Sequence, residues 1–365
     1  MKPPAVTLRE LNRWTLARQL LLARADLDPV TAIERLGGLQ AQWPRSPYIA
    51  LWSRLGDFRA EDLEAVLGSG RVVKSTLMRM TLHLVSAAHF HLLRAALDHA
   101  GRSGWGHTLA LAGDELAGLS VALLGRAGEG ALPRAEALRI IAARLPSMEE
   151  LDTRRLWYLL KSEGLVNDPA RALFRSAPNG DHVPAPPGAA VEPGAAVAHL
   201  VRTHLSAFGP ATRADTSDWS GQLVGSLAPG YAALSEELVE FTGPDGELLF
   251  DLCEAPRPSA ETEAPVRFLA KWDSLLLGHK RRTRVIGEAE RKVVIRKNGD
   301  VTESFTVDGF VAGTWVAMAK RGAASLRLTP FAPLDAAALV SLEEEGVRLL
   351  RFLLPEASST EVDFD

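Results

Sequence analysis

The segment DPVTAIERLGGLQAQWPRSPYIALWSRLG (residues 28–56) predicts two short helices joined by a tight connector. Asp28 and Pro29 are suited to the N-cap and the first position of a helix, and Gly37-Gly38 is suited to end it. Pro44 disfavours helix at the residue before it, and Ser46-Pro47 is suited to begin the next helix. The chain between the two helices is therefore expected to be extended.

This connector carries the triplet Gln40-Ala41-Gln42, which is followed by Trp43-Pro44. On an extended backbone, side chains two residues apart point the same way, so Gln40 and Gln42 are expected to share one face. An uncharged side chain that both donates and accepts hydrogen bonds can hold a water or contact the edge of a base. The spacing alone fits a pair of solvated loop amides at least as well, so both interpretations remain open.

Three stretches of the chain share one order of elements, in which short helices precede strand-like residues. In the third stretch, Thr212 is suited to cap a short helix, a further helix is expected at Gly230–Ser235, and a Gly-Pro-Asp-Gly turn separates strands at Leu238–Phe241 and Leu248–Leu252. Helices followed by a β-hairpin are typical of a winged helix-turn-helix, so the sequence predicts three such motifs in tandem. The other predicted elements are helices Leu8–Arg24, Pro29–Leu36, Pro47–Leu55 and Ala60–Leu67 with strands Val72–Ser75 and Leu82–Val85, then helices Pro133–Arg144 and Thr153–Ser162 with Leu165-Val166 pairing Leu173-Phe174.

The C-terminal segment differs in kind, because it contains two hairpin signals in succession. Turns at Asn298-Gly299 and Asp308-Gly309 separate strands expected at Val293–Arg296, Ser304–Val307 and Val311–Val316. A strand at Leu326–Leu328 and a helix at Asp335–Phe352 follow. The predicted fold class is therefore α+β, with three winged-helix motifs and a C-terminal antiparallel β-barrel.

Changes in composition suggest where the units begin and end. The stretches 184–194 and 254–265 are rich in Pro, Gly and Ala or in Pro and Glu, and are expected to be linkers. Residues 85–128 are rich in Ala and Leu and are expected to form a helical bridge. The predicted units are residues 1–128, 129–190, 191–258 and 259–365.

The composition is that of an ordinary globular protein, since 47% of the 365 residues are hydrophobic. One cysteine, Cys253, excludes an internal disulfide and favours a reducing, cytoplasmic compartment. The N-terminus lacks the apolar core of a secretion signal, and no run approaches the roughly 18 apolar residues of a membrane span. A membrane partner is therefore not expected.

The net charge of −4 argues against a protein that coats nucleic acid by bulk attraction, but the charge is unevenly distributed. Between Val266 and Lys297 there are ten Lys or Arg residues and three acids. Within this stretch an apolar run leads into His279-Lys280-Arg281-Arg282-Thr283-Arg284, which favours contact with a phosphate backbone. A purely structural origin, with Asp273 capping a turn and the arginines in water, is the alternative.

No metal site or cofactor is predicted. Five of the nine histidines (His83, His89, His91, His99 and His107) fall close together, but their spacing does not match a zinc site. The chain contains no glycine-rich phosphate loop and no nucleophile elbow. Lys74 or Lys271 could form a Schiff base in principle, but neither has a sequence context that lowers its pKa, so solvation or phosphate contact is expected.

Four segments together resemble the bacterial winged-helix DNA glycosylases of the AlkZ type, and the resemblance covers nearly the whole chain. They are Leu-Gln-Ala-Gln-Trp-Pro (residues 39–44), Arg79-Met80-Thr81-Leu82-His83-Leu84, the block Asp273–Arg284, and Val307-Asp308-Gly309 through Gly313-Thr314-Trp315. The resemblance implies a C-shaped clamp with a concave surface for double-stranded DNA, and a monomeric, cofactor-free, nucleoid-associated enzyme.

The resemblance also implies roles for individual residues. Members of this family carry a Gln-aliphatic-Gln or Gln-aliphatic-Asp triplet as the catalytic element, which here corresponds to Gln40-Ala41-Gln42. The second amide places the chain with the self-resistance branch, which acts on bulky antibiotic lesions such as azinomycin crosslinks. The expected substrates are alkylated or crosslinked purines. The expected DNA contacts are His279, Lys280, Arg281, Arg282, Arg284, Arg79, His83 and Trp43.

A non-catalytic winged-helix protein, either a transcriptional regulator or a lesion-binding shield, is the competing interpretation. Regulators usually present a positively charged recognition helix. The candidate recognition helices, Ala60–Leu67 and Gly230–Ser235, carry acids and few cations. This difference favours the glycosylase. A guanine tied to the opposite strand cannot swing out of the duplex, so the glycosylase interpretation also predicts no deep base pocket near Gln42, and a narrow aromatic-walled pocket there would count against it.

Overall fold

The structure is a computed structural model, and it describes residues 2–97, 106–162, 164–171, 173–174, 180–320 and 322–365. Residues 98–105 of the predicted bridge, including His99, lie outside the described residues. The helices are α1 Leu8–Arg18, α2 Pro29–Arg35, α3 Ser46–Arg54, α4 Ala60–Gly68, α5 Ala87–Ala96, α6 Gly106–Ala112, α7 Glu115–Gly128, α8 Arg134–Arg144, α9 Glu150–Ser162, α10 Pro193–Phe208, α11 Arg213–Ser220, α12 Val224–Ala233, α13 Glu288–Val294 and α14 Ala336–Leu353. The strands are β1 Leu39–Gln40, β2 Val72–Thr76, β3 Leu82–Ser86, β4 Leu165–Asn167, β5 His182–Pro184, β6 Leu238–Thr242, β7 Leu248–Leu252, β8 Arg267–Leu269, β9 Ser304–Val307, β10 Phe310–Lys320, β11 Ala323–Pro330 and β12 Ser359–Phe364.

The second helix of the first unit begins and ends as the sequence predicts. The Asp28 carboxylate accepts from the Val30 N–H at 3.1 Å and caps α2. Gly37 and Gly38 then adopt φ values of 71° and 89°, which glycine tolerates without a steric penalty. The chain continues directly into β1, the short strand that carries Gln40. The predicted hairpin of β2 and β3 is confirmed, and β1 adds to it in the order β1-β3-β2.

The second unit differs from the sequence prediction in its hairpin. Strand β4 pairs with β5, in the register Val166 with Val183, so the predicted pairing with Leu173-Phe174 is wrong. Phe174 instead packs its ring against Tyr48 of the first unit, at 5.1 Å between centroids. The short apolar pair at 173–174 therefore serves packing between units rather than strand pairing.

The third unit follows its prediction closely. Thr212 and Asp215 form a reciprocal capping box at the start of α11, and β6 and β7 pair across the predicted turn. The third helix, α12, begins at Val224 and is therefore longer than the Gly230–Ser235 segment predicted, because Pro229 is accommodated inside it.

The C-terminal strands form one open sheet, in the order β12-β11-β10-β9-β8, and no closed barrel exists among the described residues. The predicted strand at Val293–Arg296 is wrong, since α13 ends at Val294 and only Ile295 makes an isolated bridge, to Val301. Strand β12 lies parallel to β11, a pairing that the charged tail sequence did not predict. Helix α14 packs on this sheet through Leu342, Leu349 and Leu350.

The apolar core joins elements that are distant in sequence. One cluster combines Ile33 and Leu51 of the first unit with Phe305, Trp315 and Leu350 of the C-terminal segment. A bidentate ion pair crosses this region, because Arg54 of α3 donates to both carboxylate oxygens of buried Asp273 at 2.7 and 3.0 Å. This packing fixes the segment after Asp273 beside the strand that carries Gln40.

Candidate active site

The triplet predicted to be catalytic lies at the edge of the first sheet. Gln40 pairs with His83 of β3, and the Ala41 N–H donates to the Leu82 carbonyl at 2.7 Å. Ala41 is buried in the core, while the flanking amides turn to the opposite side. Gln40 Nε2 donates to Gln42 Oε1 at 2.6 Å. The predicted common face of the two glutamines is confirmed, and they contact each other directly.

Arg79 contacts the Gln40 amide at the end opposite to Gln42. Its Nη2 donates to Gln40 Oε1 at 2.9 Å, and its Nη1 donates to the backbone carbonyl of Trp219 at the end of α11. Arg79 and Met80 both adopt left-handed backbone conformations, with φ values of 53° and 59°, which cost non-glycine residues about 1–2 kcal/mol each. The fold therefore keeps a strained turn where it presents this guanidinium to Gln40.

These contacts set the orientation of both amides. Gln40 accepts from Arg79 and donates to Gln42, so its carbonyl and amide ends cannot exchange without losing both bonds. Gln42 is exposed, and among the described residues it has no other hydrogen-bond partner. Its Nε2 hydrogens and the second lone pair of Oε1 therefore remain available to a ligand. The inner glutamine is positioned by the protein, and the outer one faces solvent.

The two glutamines line an open cleft of about 610 Å³, which we call the glutamine cleft. Its other walls come from distant parts of the chain, namely Arg79 and Thr81, Asp218 of α11, Trp272, Leu277 and Arg282, and the loop 295–301. Trp272 is the only aromatic residue among the described residues that line this cleft. The cleft therefore lacks the narrow aromatic walls that would have opposed the sequence interpretation.

Among the described residues that line the glutamine cleft, the cations Arg79 and Arg282 are balanced by the carboxylates of Asp218 and Asp300, and Lys271 is not part of this lining. Arg282 lies 3.6 Å from Asp218, and Lys271 lies 3.2 Å from Asp300. The Lys271 ammonium also lies over the rings of Trp43 and Trp272, at 5.3 and 5.0 Å from their centroids. Pairing keeps the cleft from being strongly basic. Neither Asp218 nor Asp300 was singled out from the sequence, because their carboxylates meet the triplet only through the tertiary fold.

His83 was expected to reach DNA, but the structure buries it behind Gln40. Its side chain is 2% exposed, and Nδ1 lies 2.9 Å from the Thr81 carbonyl. Burial, followed by the nearby Arg79 charge, lowers the pKa of His83 to about 3, so the imidazole is neutral at physiological pH. We therefore correct the expectation that His83 contacts DNA directly, because its buried ring lies behind Gln40 and supports the triplet.

The segment His279–Arg284, which we call the basic block, divides into a buried and an accessible part. His279 is 1% exposed with Nε2 at 2.9 Å from the Phe208 carbonyl, and Arg284 donates to the Pro210 carbonyl at 2.9 Å from a buried position. Burial lowers the pKa of both groups. These two residues join α10 to the basic block, so their predicted role in DNA contact is also corrected. The sequence, an apolar run followed by a basic run, gave no means of separating them from their neighbours.

Lys280 and Arg281 remain accessible, whereas Arg282 is partly buried. Lys280 is exposed, and Arg281 forms an exposed ion pair with Asp245 at 2.6 Å. Both line a second cleft of about 710 Å³, which also contains Thr212 and Asp215. Although this cleft is larger, it holds neither glutamine. Arg282 is in the glutamine cleft and donates to the Leu276 carbonyl at 2.6 Å.

Neither a metal site nor a membrane span emerges from the part of the chain that the structure describes. No three His, Cys, Asp or Glu side chains there converge in a way that could hold a metal ion. No single described helix is long and apolar enough to cross a membrane, although α6 and α7, bent by 84°, meet the length and composition requirements together.

Comparisons with known proteins identify relatives over nearly the whole chain. Residues 33–352 match the family described as "DNA glycosylase AlkZ-like". A curated relative from Streptomyces sahachiroi, "Interstrand DNA cross-link repair glycosylase", is 26% identical, and the alignment covers 94% of this chain and 95% of that protein. The solved structure of "Streptomyces sahachiroi DNA glycosylase AlkZ" superimposes with a TM-score of 0.83 at 22% identity, over 99% of this chain and 100% of that one. The family match spans most of the sequence, and the chain therefore belongs to the AlkZ-like DNA glycosylases, enzymes that hydrolyse N-glycosidic bonds in DNA.

Proposed function

We propose that this glycosylase removes N7-alkylated purines from double-stranded DNA, including guanines held in interstrand crosslinks. The observation that carries the proposal is the Arg79–Gln40–Gln42 hydrogen-bond chain at the wall of an open cleft. The curated relative from Streptomyces sahachiroi is named as a glycosylase of interstrand cross-link repair, and this supports the same substrate class.

The chemistry of amides explains why the substrate should be cationic. An amide is a poor general base, so two glutamines would be weak catalysts for removal of an ordinary base. Alkylation at N7 gives the purine a positive charge, and cleavage of the glycosidic bond then releases a neutral base. Because the leaving group needs no protonation, the protein has only to organise the water and stabilise the sugar.

Each group has a defined part in this reaction. The bond from the sugar C1′ to the purine N9 breaks with its electron pair going to the base, which neutralises the N7 charge. A water held by the free lone pair of Gln42 Oε1 forms the new bond to C1′, and its proton passes to solvent. The carbonyl dipoles of the glutamines stabilise the oxocarbenium-like sugar, and Arg79 fixes the orientation of Gln40.

An open cleft suits a base that cannot be extruded. Most enzymes that act on bases flip the nucleotide into a pocket at a cost of a few kcal/mol. A guanine tied to the opposite strand, or carrying a large intercalated adduct, cannot rotate freely. We infer that the glutamine cleft approaches the nucleotide while it remains in the duplex.

The surface for the duplex follows from the accessible cations. We propose that the three helix-and-hairpin units are winged-helix motifs and that they form a clamp with the C-terminal sheet, within which Lys280, Arg281 and Arg282 contact phosphates. Arg79 lines the glutamine cleft and Trp43 directly follows Gln42, and we propose that both contact the lesion. We further propose that the enzyme acts as a monomer in the cytoplasm, at the nucleoid.

The identity of the triplet suggests the biological substrate. Gln42 at the third position, with Ala41 as the aliphatic residue, corresponds to the self-resistance branch, so we propose lesions of the azinomycin type. The alternative of a non-catalytic regulator or lesion shield loses support, because the family match is to glycosylases.

A direct assay tests the proposal. The purified protein is incubated with duplex DNA that bears either N7-methylguanine or an azinomycin-type crosslink, and alkali then cleaves any abasic site. We expect strand cleavage at the modified guanine in both substrates. Binding of the modified duplex without any abasic site would contradict the proposed activity and favour the lesion shield.

A further inference from the structure

A second group of basic side chains lies between the first and second units, away from the glutamine cleft. It consists of Lys74 on β2, Lys161 on α9, His182 on β5 and Arg134 at the start of α8. Lys74 and Lys161 are only 3% and 8% exposed, and His182 is 6% exposed. The mechanism proposed above uses none of these residues.

The fold brings these side chains together through a chain of contacts. Lys74 lines a cleft of about 190 Å³ together with Asn167, and Asn167 pairs in register with His182. The His182 ring packs edge-on against Trp157, at 5.0 Å between centroids. Lys161 lies one helical turn beyond Trp157, on the same face of α9. We call this group the lysine cleft.

Arg134 approaches from the other side of His182. The backbone of His182 exchanges two hydrogen bonds with Leu132, at 2.7 and 2.9 Å, and Leu132 precedes α8 by two residues. Arg134 is the first residue of α8 and is exposed. It is therefore the exposed member of the group, whereas the two lysines are buried.

The cations of the lysine cleft have no carboxylate partner within the described residues, although the Lys161 ammonium lies over the Tyr158 ring at 4.2 Å from its centroid. None of Lys74, Lys161 and Arg134 forms an ion pair with a described Asp or Glu. Buried ammonium groups such as those of the two lysines are almost always paired in proteins. Buried His182 Nδ1 also has no hydrogen-bond partner there. Burial lowers the pKa of Lys74 to about 8, and burial with the Arg134 and Lys74 charges lowers the pKa of Lys161 to about 8. Both lysines therefore remain mostly charged at neutral pH.

We propose that the lysine cleft binds a phosphate group, which Lys74 and Lys161 neutralise, to which His182 Nδ1 donates and which Arg134 covers. A phosphate oxygen can accept from each of these donors, and an anion would supply the missing countercharge. Gln40, His83 and Ser75 are paired across the three strands of the first sheet and therefore share one face. Lys74 precedes Ser75 on β2 and lies on the opposite face, so the site is separate from the glutamine cleft. The phosphate could come from the DNA backbone or from the free anion.

Lys74→Met and Lys161→Met test the site without reference to lesion chemistry. Removal of an unpaired buried charge should raise the melting temperature of the free protein in phosphate-free buffer. Added inorganic phosphate, at constant ionic strength, should then stabilise the wild type and not the variants. Lys2→Met removes an exposed lysine and is the matched control, which should respond to phosphate like the wild type. Using two lysine variants keeps the test valid if one fails to fold.

The dependence of duplex affinity on salt distinguishes the two sources. If the ligand is a DNA phosphate, each variant should reduce the slope of log affinity against log salt for undamaged duplex by about 0.9. An unchanged slope together with a phosphate-specific rise in melting temperature assigns the site to the free anion. Lower melting temperatures for both variants, with equal phosphate responses in variants and wild type, would overturn the site. An inactive wild type would contradict the proposed excision activity but leave both of these readouts intact.

Discussion

The glutamine cleft and the lysine cleft handle charge in opposite ways. In the glutamine cleft the carboxylates of Asp218 and Asp300 balance the cations Arg79 and Arg282, and the proposed catalytic groups are neutral amides. In the lysine cleft two buried ammonium groups have no carboxylate partner among the described residues. The charge that a site leaves unbalanced indicates the charge of its ligand. The first cleft can accept a cationic purine, and the second requires an anion.

The largest expected effect comes from removing the amides of the glutamine cleft. The double variant Gln40→Ala with Gln42→Ala should lower the single-turnover rate of N7-methylguanine release by about 10²–10³, by analogy with the loss of a preorganised donor in other enzymes. Its affinity for undamaged duplex should stay close to the wild type, and thermal melting checks that the variant is folded. A wild-type rate in this variant would show that the triplet is a pair of structural loop amides.

The next effect concerns the orientation of Gln40. Arg79→Met removes a charged donor to Gln40 Oε1, and hydrogen bonds to charged groups contribute about 1.5–3 kcal/mol, so we expect a loss of about 10- to 100-fold in the same rate. Since Arg79 acts through Gln40, adding this change to the Gln40→Ala variant should cost little more. Arg59→Met, at an exposed arginine paired with Asp62, is the control and should be silent. Equal losses in the two backgrounds would exclude a positioning role.

The basic block offers a contrast between a partnered buried cation and an accessible one. Arg284→Met should lower the free energy of unfolding by about 1–3 kcal/mol, because the Pro210 carbonyl loses its donor inside the protein. Arg281→Met should leave stability unchanged and reduce the salt slope of duplex binding by about 0.9. Thermal melting and a salt titration of binding measure the two. A stable Arg284→Met variant with a reduced salt slope would return Arg284 to the DNA surface.

The smallest expected effect tests the pairing of charges in the glutamine cleft. Asp218→Asn leaves Arg282 without its carboxylate and makes the cleft more basic, which should disfavour a cationic purine. Because the pair is 3.6 Å apart and still reached by solvent, we expect it to contribute about 0.2–1 kcal/mol, so the rate of N7-methylguanine release should fall by at most about fivefold. Asp245→Asn, which removes the partner of Arg281 outside this cleft, serves as the control. Faster release from Asp218→Asn would contradict the electrostatic argument.

Local sequence signals predicted most of the individual elements. Asp28, Gly37-Gly38 and the Thr212 cap act through contacts within a few residues, so their helix ends could be recognised without the fold. The shared face of Gln40 and Gln42 is likewise a property of one extended connector. The pairing of β11 with β12 could not be predicted, because a parallel pair carries no turn signal and β12 has an acidic sequence.

The site was predicted only where its residues are close in sequence. Asp218 and Asp300 join the glutamine cleft through tertiary packing, and no local pattern connects them to the triplet. His279 and Arg284 were assigned to DNA because they belong to a run of basic residues that follows an apolar segment, and such a run does not distinguish buried from exposed members. Their burial depends on contacts with α10 and the residues that follow it, which the sequence does not specify. Burial of cations is therefore the property that sequence patterns predict least well here.

The central claim is that neutral amides suffice only for a base that is already cationic. The most direct measurement compares single-turnover release of N7-methylguanine with release of unmodified guanine from the same duplex position, in the wild type and in the Gln40→Ala, Gln42→Ala double variant. We predict rapid release of the cationic base by the wild type, loss of that release in the variant, and no release of guanine by either. Release of unmodified guanine at a comparable rate, or release of N7-methylguanine that does not depend on the glutamines, would contradict the claim.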